Sequence, residues 1–405
     1  MPDSDVYVWA WLPDATDPVA VGTLRRAPTG LHFSYGNSYL ARSDAIPIGP
    51  ELPLAQHWYP PAPGIGMPST FKDSAPDAWG MRTILNAGWD HTDESFLLNS
   101  GSNRIGALDF QASPHSYVAR NEGDLTVSEL MQAAETVENG EPLPGPLLAA
   151  LVHATSIGGA RPKATLHDAS GQWIAKFSSS TDSMNVVGAE AASIYLAQKT
   201  LIEVPEARVE RVMGRDVLLM RRFDRVANFR KIMVTGVTIL GYGLGLVPRG
   251  SYPELLQRLR EHGDPSGEEL FARIALNIAI TNTDDHLRNH SAFWDGYTLS
   301  LTPAYDLSPG PRSGETASLA TPYSFSGKRD ATFHGLLGAA YEFDLSASIA
   351  HEIIDRVREQ VATHWNDAAD FARLSNTDRK ALWGRQFLNP AASREYLEPV
   401  KETAP

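Results

Sequence analysis

The sequence predicts an α+β protein with a β-rich N-terminal part and a mostly helical C-terminal lobe. Two observations carry that expectation. Up to about residue 240, short alternating or β-branched runs are separated by Pro, Gly and Asp. Beyond about 245, apolar residues recur at helical spacing, and a single β-like interruption follows residue 290.

Taken in order, VYVWAWL, PVAVGTLRR and LHFSYGNSYLA carry β-formers, and ELPLAQHWYPPAPGIGMPS is a long Pro/Gly loop. FKDSAPDAWGMRTILNAG supplies a capped helix start, and RIGALDFQ reads as a strand. Residues 124–155 are helical around the turn NGEPLPGP. KATLHDASGQWIAKFSS is a hairpin turning at DASG, GAEAASIYLAQKTL is a helix, and ARVERVMGRDVLLMRRFDRV holds two strands around MGRD. The helices PELLQRLREHG, EELFARIALNIAIT, ASIAHEIIDRVREQVATHW and SNTDRKALWGRQFL follow. This division suggests three segments: residues 1–145, β-rich; 146–245, an α/β lobe with a glycine loop; and 246–405, a helical lobe, with a hinge near 240–250.

The 405 residues are enough for two or three cores. With no cysteine, the chain has no disulfide, thiolate zinc site or cysteine nucleophile. No apolar run approaches a membrane span, and acids stand at the start where a secretory leader carries bases, so the expectation is a cytoplasmic protein. A net charge of −13 opposes non-specific binding to nucleic acid. The local cluster Arg221, Arg222 and Arg225 is read as a solvated face or a set of ion pairs.

The chemistry concentrates in TNTDDHLRNHSAFWDGYTLSLTPAYDLSP, residues 281–309. A buried helix ends at Thr281 and mounts a loop carrying Asp284 and Asn289, five apart. A hairpin with Asp295-Gly296 at its centre, the signature of a type I′ turn, then returns Asp306 beside that loop. An acid, an amide five residues on and a second acid after a hairpin suit phosphoryl transfer. Asp284 accepts the proton of an attacking hydroxyl, while Asn289 and Asp306 offer oxygen ligands to Mg²⁺. The D-x₄-N spacing matches a protein-kinase catalytic loop, with TDDH where a kinase reads HRD. His286 is the better placed of the two histidines for catalysis, ahead of His290.

A phosphate cradle is expected in SIGGARPKATL, where Gly158-Gly159 precede a strand and Lys163 adds charge, although this is no Walker A motif. On WIAKF, Lys176 shares a face with Ile174 and is expected to be partly buried, where it calls for an anion. Glu190, early in the next helix, is a candidate partner for it.

Together SIGGARPKA, the WIAKF lysine, RRFDR, NTDDHLRN, TPAYDLSP and DSAPDAWG resemble, in order and spacing, the motifs of HipA-family toxin kinases across almost the whole chain. The resemblance implies a distant protein-kinase-like fold, serine/threonine kinase activity with ATP and Mg²⁺, and a small helix-turn-helix antitoxin that binds operator DNA. It implies Asp284 as catalytic base, Asn289 and Asp306 as magnesium ligands, and Lys176 as the ATP-phosphate lysine. It also places the nucleotide hinge at Leu219, Met220 and Arg221, and self-phosphorylation at Ser156. The substrate it suggests is a translation component such as an aminoacyl-tRNA synthetase. The family's ERFDR appears here as RRFDR, so Arg221 stands where glutamate is common, which puts side-chain recognition of the base in doubt. For the antitoxin, the loop at Trp58 and Tyr59 and the segment around Trp79 are candidate surfaces, with core packing favoured for Trp79. Two other readings remain open: a metal-dependent phosphohydrolase using Asp284, Asp285, His286, His290 and Asp306, and an inactive kinase-like module acting as co-repressor.

Overall fold

The computed structural model describes residues 5–121, 123, 125–155, 157, 161–178, 182, 184–243, 250–311 and 314–397. In chain order the first elements are strands β1 (Val6–Ala10), β2 (Val19–Ala27) and β3 (Gly30–Tyr35), then helices α1 (Asn37–Leu40), α2 (Ser69–Asp73), α3 (Ala78–Asn86) and α4 (Asp93–Asn99). Strand β4 (Leu108–Gln111), helices α5 (Val127–Glu138) and α6 (Gly145–Ala154), and strands β5 (Lys163–Asp168) and β6 (Gly171–Phe177) follow. Next come α7 (Val186–Lys199), β7 (Ala207–Val212), β8 (Arg215–Arg221), β9 (Arg225–Val226), β10 (Phe229–Arg230), β11 (Ile232–Thr235) and α8 (Gly236–Leu240). The remainder is α9 (Tyr252–Glu261), α10 (Gly267–Ile280), β12 (Ser291–Trp294), β13 (Leu299–Leu301), α11 (Phe333–Leu337), α12 (Ala347–Phe371), α13 (Asn376–Leu382) and α14 (Pro390–Leu397).

The residues pack as two compact units, each assembled from separated segments, so they cut across the three consecutive segments suggested by the sequence. Unit one comprises 1–181, 210–247 and 291–302; unit two comprises 182–209, 248–290 and 303–405. Unit one is built on antiparallel sheets. The first has the order β3-β2-β1-β4 and the third joins β11-β12-β13. In the order β5-β6-β8-β7, the second sheet buries one face against α5 and α6, where Trp79, Met131, Leu151, Trp173, Phe177 and Leu219 share a core. Alternation along β5 and β6 supplies that face, since neighbouring side chains point to opposite sides of a strand.

Unit two is almost wholly helical. Helix α12 runs 25 residues, and its buried positions Ile353, Val357, Val361, Trp365 and Ala368 recur every three or four residues. Helix α10 is buried all round from Leu270 to Ile280, which fits FARIALNIAI lacking a polar face.

Two local expectations need correction. LHFSYGNSYLA is a strand only to Tyr35, after which NSYL turns into α1. The β12–β13 connection is a four-residue loop, because Trp294 pairs with Leu299, and only Gly296 takes a positive φ there. The Asp295 carboxylate accepts the N–H groups of Tyr297 and Thr298 and the Thr298 hydroxyl, at 2.9, 2.7 and 2.7 Å. That side-chain cap stabilises a wider turn, and a type I′ turn would have required a left-handed Asp295.

Candidate functional site

Helix α10 mounts the acid-bearing loop of unit two. It ends in a Schellman closure: the Asn282 N–H donates to Asn277 O (2.8 Å), and the Thr281 N–H to Ile278 O (3.3 Å). The left-handed residue in such a closure is usually glycine, yet here it is the β-branched Thr281, with φ 54°. Three neighbours hold it there. Its hydroxyl donates to Gln386 O (2.7 Å), its carbonyl accepts from Gly310 N (2.9 Å), and Leu388 N donates to Ala279 O (2.7 Å) two residues earlier. Strain held by several surrounding segments is characteristic of functional sites.

The returning segment lies against the loop. The Asn282 amide donates to Asp306 O (3.4 Å) and to Asn277 Oδ1 (3.0 Å), and the Tyr305 hydroxyl donates to Arg288 O (2.7 Å). Asp306 itself adopts φ 59°, a second left-handed non-glycine residue. The hairpin therefore does deliver Asp306 beside the loop.

Within the loop the two adjacent acids differ completely. Asp285 is 2% exposed, and one carboxylate oxygen receives the Tyr252 hydroxyl, the Asn277 amide (2.5 Å) and His290 Nε2 (2.8 Å). Burial first, and the Asp285 charge second, push the Tyr252 phenol well above its ordinary value, so it stays a donor. The His290 ring meets Tyr252 edge-on at 5.1 Å. Asp284, by contrast, is exposed. Asn289 closes a short 3₁₀ turn whose N–H donates to His286 O (2.7 Å). Among the described residues no hydrogen-bond partner is found for its side-chain amide, although the residue is only 8% exposed. His286 is half-buried, with Nδ1 lacking a hydrogen-bond partner.

An amide oxygen and a carboxylate are hard donors, and Mg²⁺ characteristically takes one or two such ligands and completes its shell from water and phosphate. The Asn289 amide, on the loop against which the Asp306 segment returns, has the donor chemistry for that role. Of the five residues of the phosphohydrolase reading, Asp285 and His290 are engaged with one another through Oδ2 and Nε2.

The lysines belong to unit one. Lys163 opens β5 directly opposite Lys176 on β6, and both are buried, at 8% and 9% exposure. Leu219, Met220 and Arg221 end β8, opposite Ala175, Ile174 and Trp173. The Leu219 side chain is committed to the core, which leaves its backbone for any contact with a nucleotide, and Arg221 is exposed next to Gly171. Glu190 is buried on α7 of unit two. Ser156, Gly158 and Gly159 lie outside the described residues, as does most of the segment expected to be a hinge.

Two of the arginines of RRFDR, Arg222 and Arg225, form ion pairs with its aspartate. Arg222 grips both oxygens of Asp224 (3.0 and 2.7 Å), Arg225 adds a third bond (3.0 Å), and the Gly106 N–H a fourth (2.8 Å). Trp79 is buried in the core, whereas Trp58 is exposed beneath the Arg25 guanidinium. Sequence reasoning missed Tyr252 and Asn277 as supports of the loop. For Asn277 a signal existed, since a lone amide inside an otherwise apolar, buried helix needs a partner.

Fold and site together define a mixed α/β protein with an acid-and-amide loop mounted on a buried helix. A model of the HipA-like C-terminal domain matches residues 155–365, and one of the HipA N-terminal domain matches residues 15–111. The chain belongs to the HipA family. Among solved structures, it is similar to a chain of the Shewanella oneidensis MR-1 toxin–antitoxin complex of HipA, HipB and operator DNA. The TM-score is 0.63 at 16% identity over 93% of this chain and 97% of that one, a likeness of fold. The proinflammatory kinase CtkA of Helicobacter pylori matches with TM-score 0.39 at 12% identity, over 60% of this chain and 94% of that chain. No curated protein sequence matches. Among the described residues, no helix is long and apolar enough to cross a membrane.

Proposed function

We propose that the chain is an ATP-dependent serine/threonine protein kinase acting as the toxin of a toxin–antitoxin pair. The observation that carries this reading is the contrast inside one loop. Asp284 is exposed and the Asn289 amide has no partner among the described residues, while their neighbours Asp285, His290 and Asn277 are locked in a buried network. In this reading Asp284 takes the proton from a substrate serine or threonine hydroxyl as its oxygen attacks the terminal phosphoryl of ATP, and ADP leaves. Asn289 and Asp306 would hold Mg²⁺, which when bound neutralises charge developing on the phosphate oxygens. Lys163 and Lys176 would receive phosphate oxygens, and the backbone of residues 219–221 the base. His286 shapes the loop through the bond its carbonyl accepts from Asn289 N.

Family membership supports a helix-turn-helix antitoxin as partner, with operator DNA reached through it. It also supports Ser156 as the self-phosphorylated position, and a translation component such as an aminoacyl-tRNA synthetase as substrate. An acidic toxin of net charge −13 suits a DNA complex in which the antitoxin makes the phosphate contacts.

Label transfer from γ-labelled ATP tests the core of this reading. Wild type should phosphorylate itself or a protein substrate, and Asp306→Asn should lose on the order of 10²–10³ in rate. Near wild-type transfer by that variant removes the magnesium assignment. Expression of the wild type alone should arrest a bacterial host, and Asp284→Ala should relieve the arrest at equal expression. Equal toxicity from both would mean that binding, not chemistry, does the damage.

A further inference from the structure

The motif DSAPDAWG plays no part in the reaction described above, yet the helix it opens, α3, grips both residues that bracket the expected phosphate cradle, Thr155 and Lys163. All of these contacts lie within unit one. Asp77 caps α3 by accepting the Trp79 N–H at 3.3 Å, and burial lifts its carboxyl to about 6. On the far side of the cradle, the Trp79 indole N–H donates to the carbonyl of Lys163, the first residue of β5, at 3.1 Å. On the near side, a Cβ at Gly80 would meet the Thr155 carbonyl at 2.7 Å, so the bare glycine lets α3 pass close to the end of α6. One turn along α3, the hydroxyls of Thr83 and Thr155 lie 2.9 Å apart, and both residues are fully buried. One proton each suffices when Thr155 donates to Thr83 and Thr83 donates to the Gly80 carbonyl at 2.8 Å. From β5 the Thr165 hydroxyl adds a bond to Ala154 O at 3.2 Å.

Resting on the kinase reading, we propose that Thr83 is a positioning residue. Its hydroxyl, paired with that of Thr155, fixes the entry to the glycine loop while Trp79 fixes the exit, so that the loop is set to receive the phosphates of the nucleotide. A segment held at both ends has less conformational freedom left to lose when it takes a ligand. Packing alone does not call for hydroxyls at this contact, because valine has the shape of threonine and needs no partner when buried. The packing and the hydrogen bond can therefore be separated by substitution.

Thr83→Val removes the hydroxyl at nearly constant volume, and Thr83→Ser keeps it. Calorimetric titration with a Mg²⁺-loaded non-hydrolysable ATP analogue, and separately with inorganic tripolyphosphate, should give affinities about three- to tenfold weaker in Thr83→Val, the range of one hydrogen bond. Thr83→Ser should match wild type, and adenosine should bind all three proteins alike. KM for ATP should rise by the same factor in Thr83→Val with kcat changed less. Thr155→Val should weaken phosphate binding in the wild-type background and add little in the Thr83→Val background, because the two hydroxyls act as a pair. Wild-type affinity for both phosphate probes in Thr83→Val, an equal loss in Thr83→Ser, an equal loss for adenosine, or full additivity with Thr155→Val overturns the proposal. If wild type takes tripolyphosphate but no nucleotide, the kinase reading fails, and the Thr83 assignment stands or falls on the tripolyphosphate ratio alone. Binding of neither probe by wild type overturns both.

Discussion

The Asp224 cluster of unit one and the acid loop of unit two are made from the same materials: aspartates, an asparagine, and cationic or hydrogen-bonding partners. Their chemistry is opposite. Both oxygens of Asp224 are met, by Arg222, Arg225 and the Gly106 N–H, and Arg222 reaches on to the Asn103 and Arg104 carbonyls (3.0 and 2.5 Å). Against the upward push of burial, the Arg222 and Arg225 charges hold the Asp224 carboxyl far below the usual carboxylate range. In the acid loop only Asp285 is saturated, while Asp284 faces solvent and the Asn289 amide has no partner among the described residues. A saturated charged cluster ties distant segments together. An unsaturated one, held rigid by a saturated neighbour, leaves donors aimed at something outside the chain.

Substitutions can break this contrast, beginning with the largest effect. Asp224→Ala should destabilise by roughly 3–5 kcal/mol, because it strands Arg222 and Arg225 in the interior. Denaturant melts should show the loss, while activity per folded molecule should stay close to wild type. Tyr252→Phe should cost about 1–3 kcal/mol by removing one of three donors to buried Asp285, and it should also slow phosphoryl transfer because the loop loses an anchor. A stability loss without a rate loss would show that Asp285 serves packing alone.

The smallest effect has the reverse sign. A carboxyl raised from 3.8 to about 6 on folding favours the native state below the unfolded value, and that contribution is lost as pH climbs through 6. Asp77→Asn should therefore be indistinguishable from wild type in stability near pH 3.5 and more stable by about 1 kcal/mol at pH 7.5. The full shift corresponds to about 3 kcal/mol, which solvent screening at a half-buried group reduces. A destabilised variant at pH 7.5 would contradict the burial penalty that this aspartate carries.

The loop itself was legible because its parts are consecutive: a polar, acid-rich run after a buried helix, then a hairpin, is a local pattern. What holds it was not. Tyr252 lies 33 residues before Asp285, and Gln386 lies 105 after Thr281, so no spacing rule connects them. The Asp224 network joins residues about 119 apart, and from sequence alone RRFDR offers a nucleotide edge and an arginine cluster but not its partners. β11 and α8 escaped because IMVTGVTIL is one apolar run with no break where strand becomes helix. There Asp73 marks the join by accepting the Thr235 N–H and the hydroxyls of Thr235 and Thr238. The Asp295-Gly296 turn was misread for a related reason, since side-chain caps compete with the backbone turn that the dipeptide favours.

The clamp on the end of α10 also sets an order in time. Thr281 and Ala279 are held by Gln386 and Leu388, and Gln386 is synthesised 105 residues after Thr281. A nascent chain halted before residue 386 carries the acids, the amide and the lysines yet lacks the bonds that keep Thr281 in its strained turn. Translation itself thus delays the closure of this turn until the segment carrying Gln386 and Leu388 has emerged.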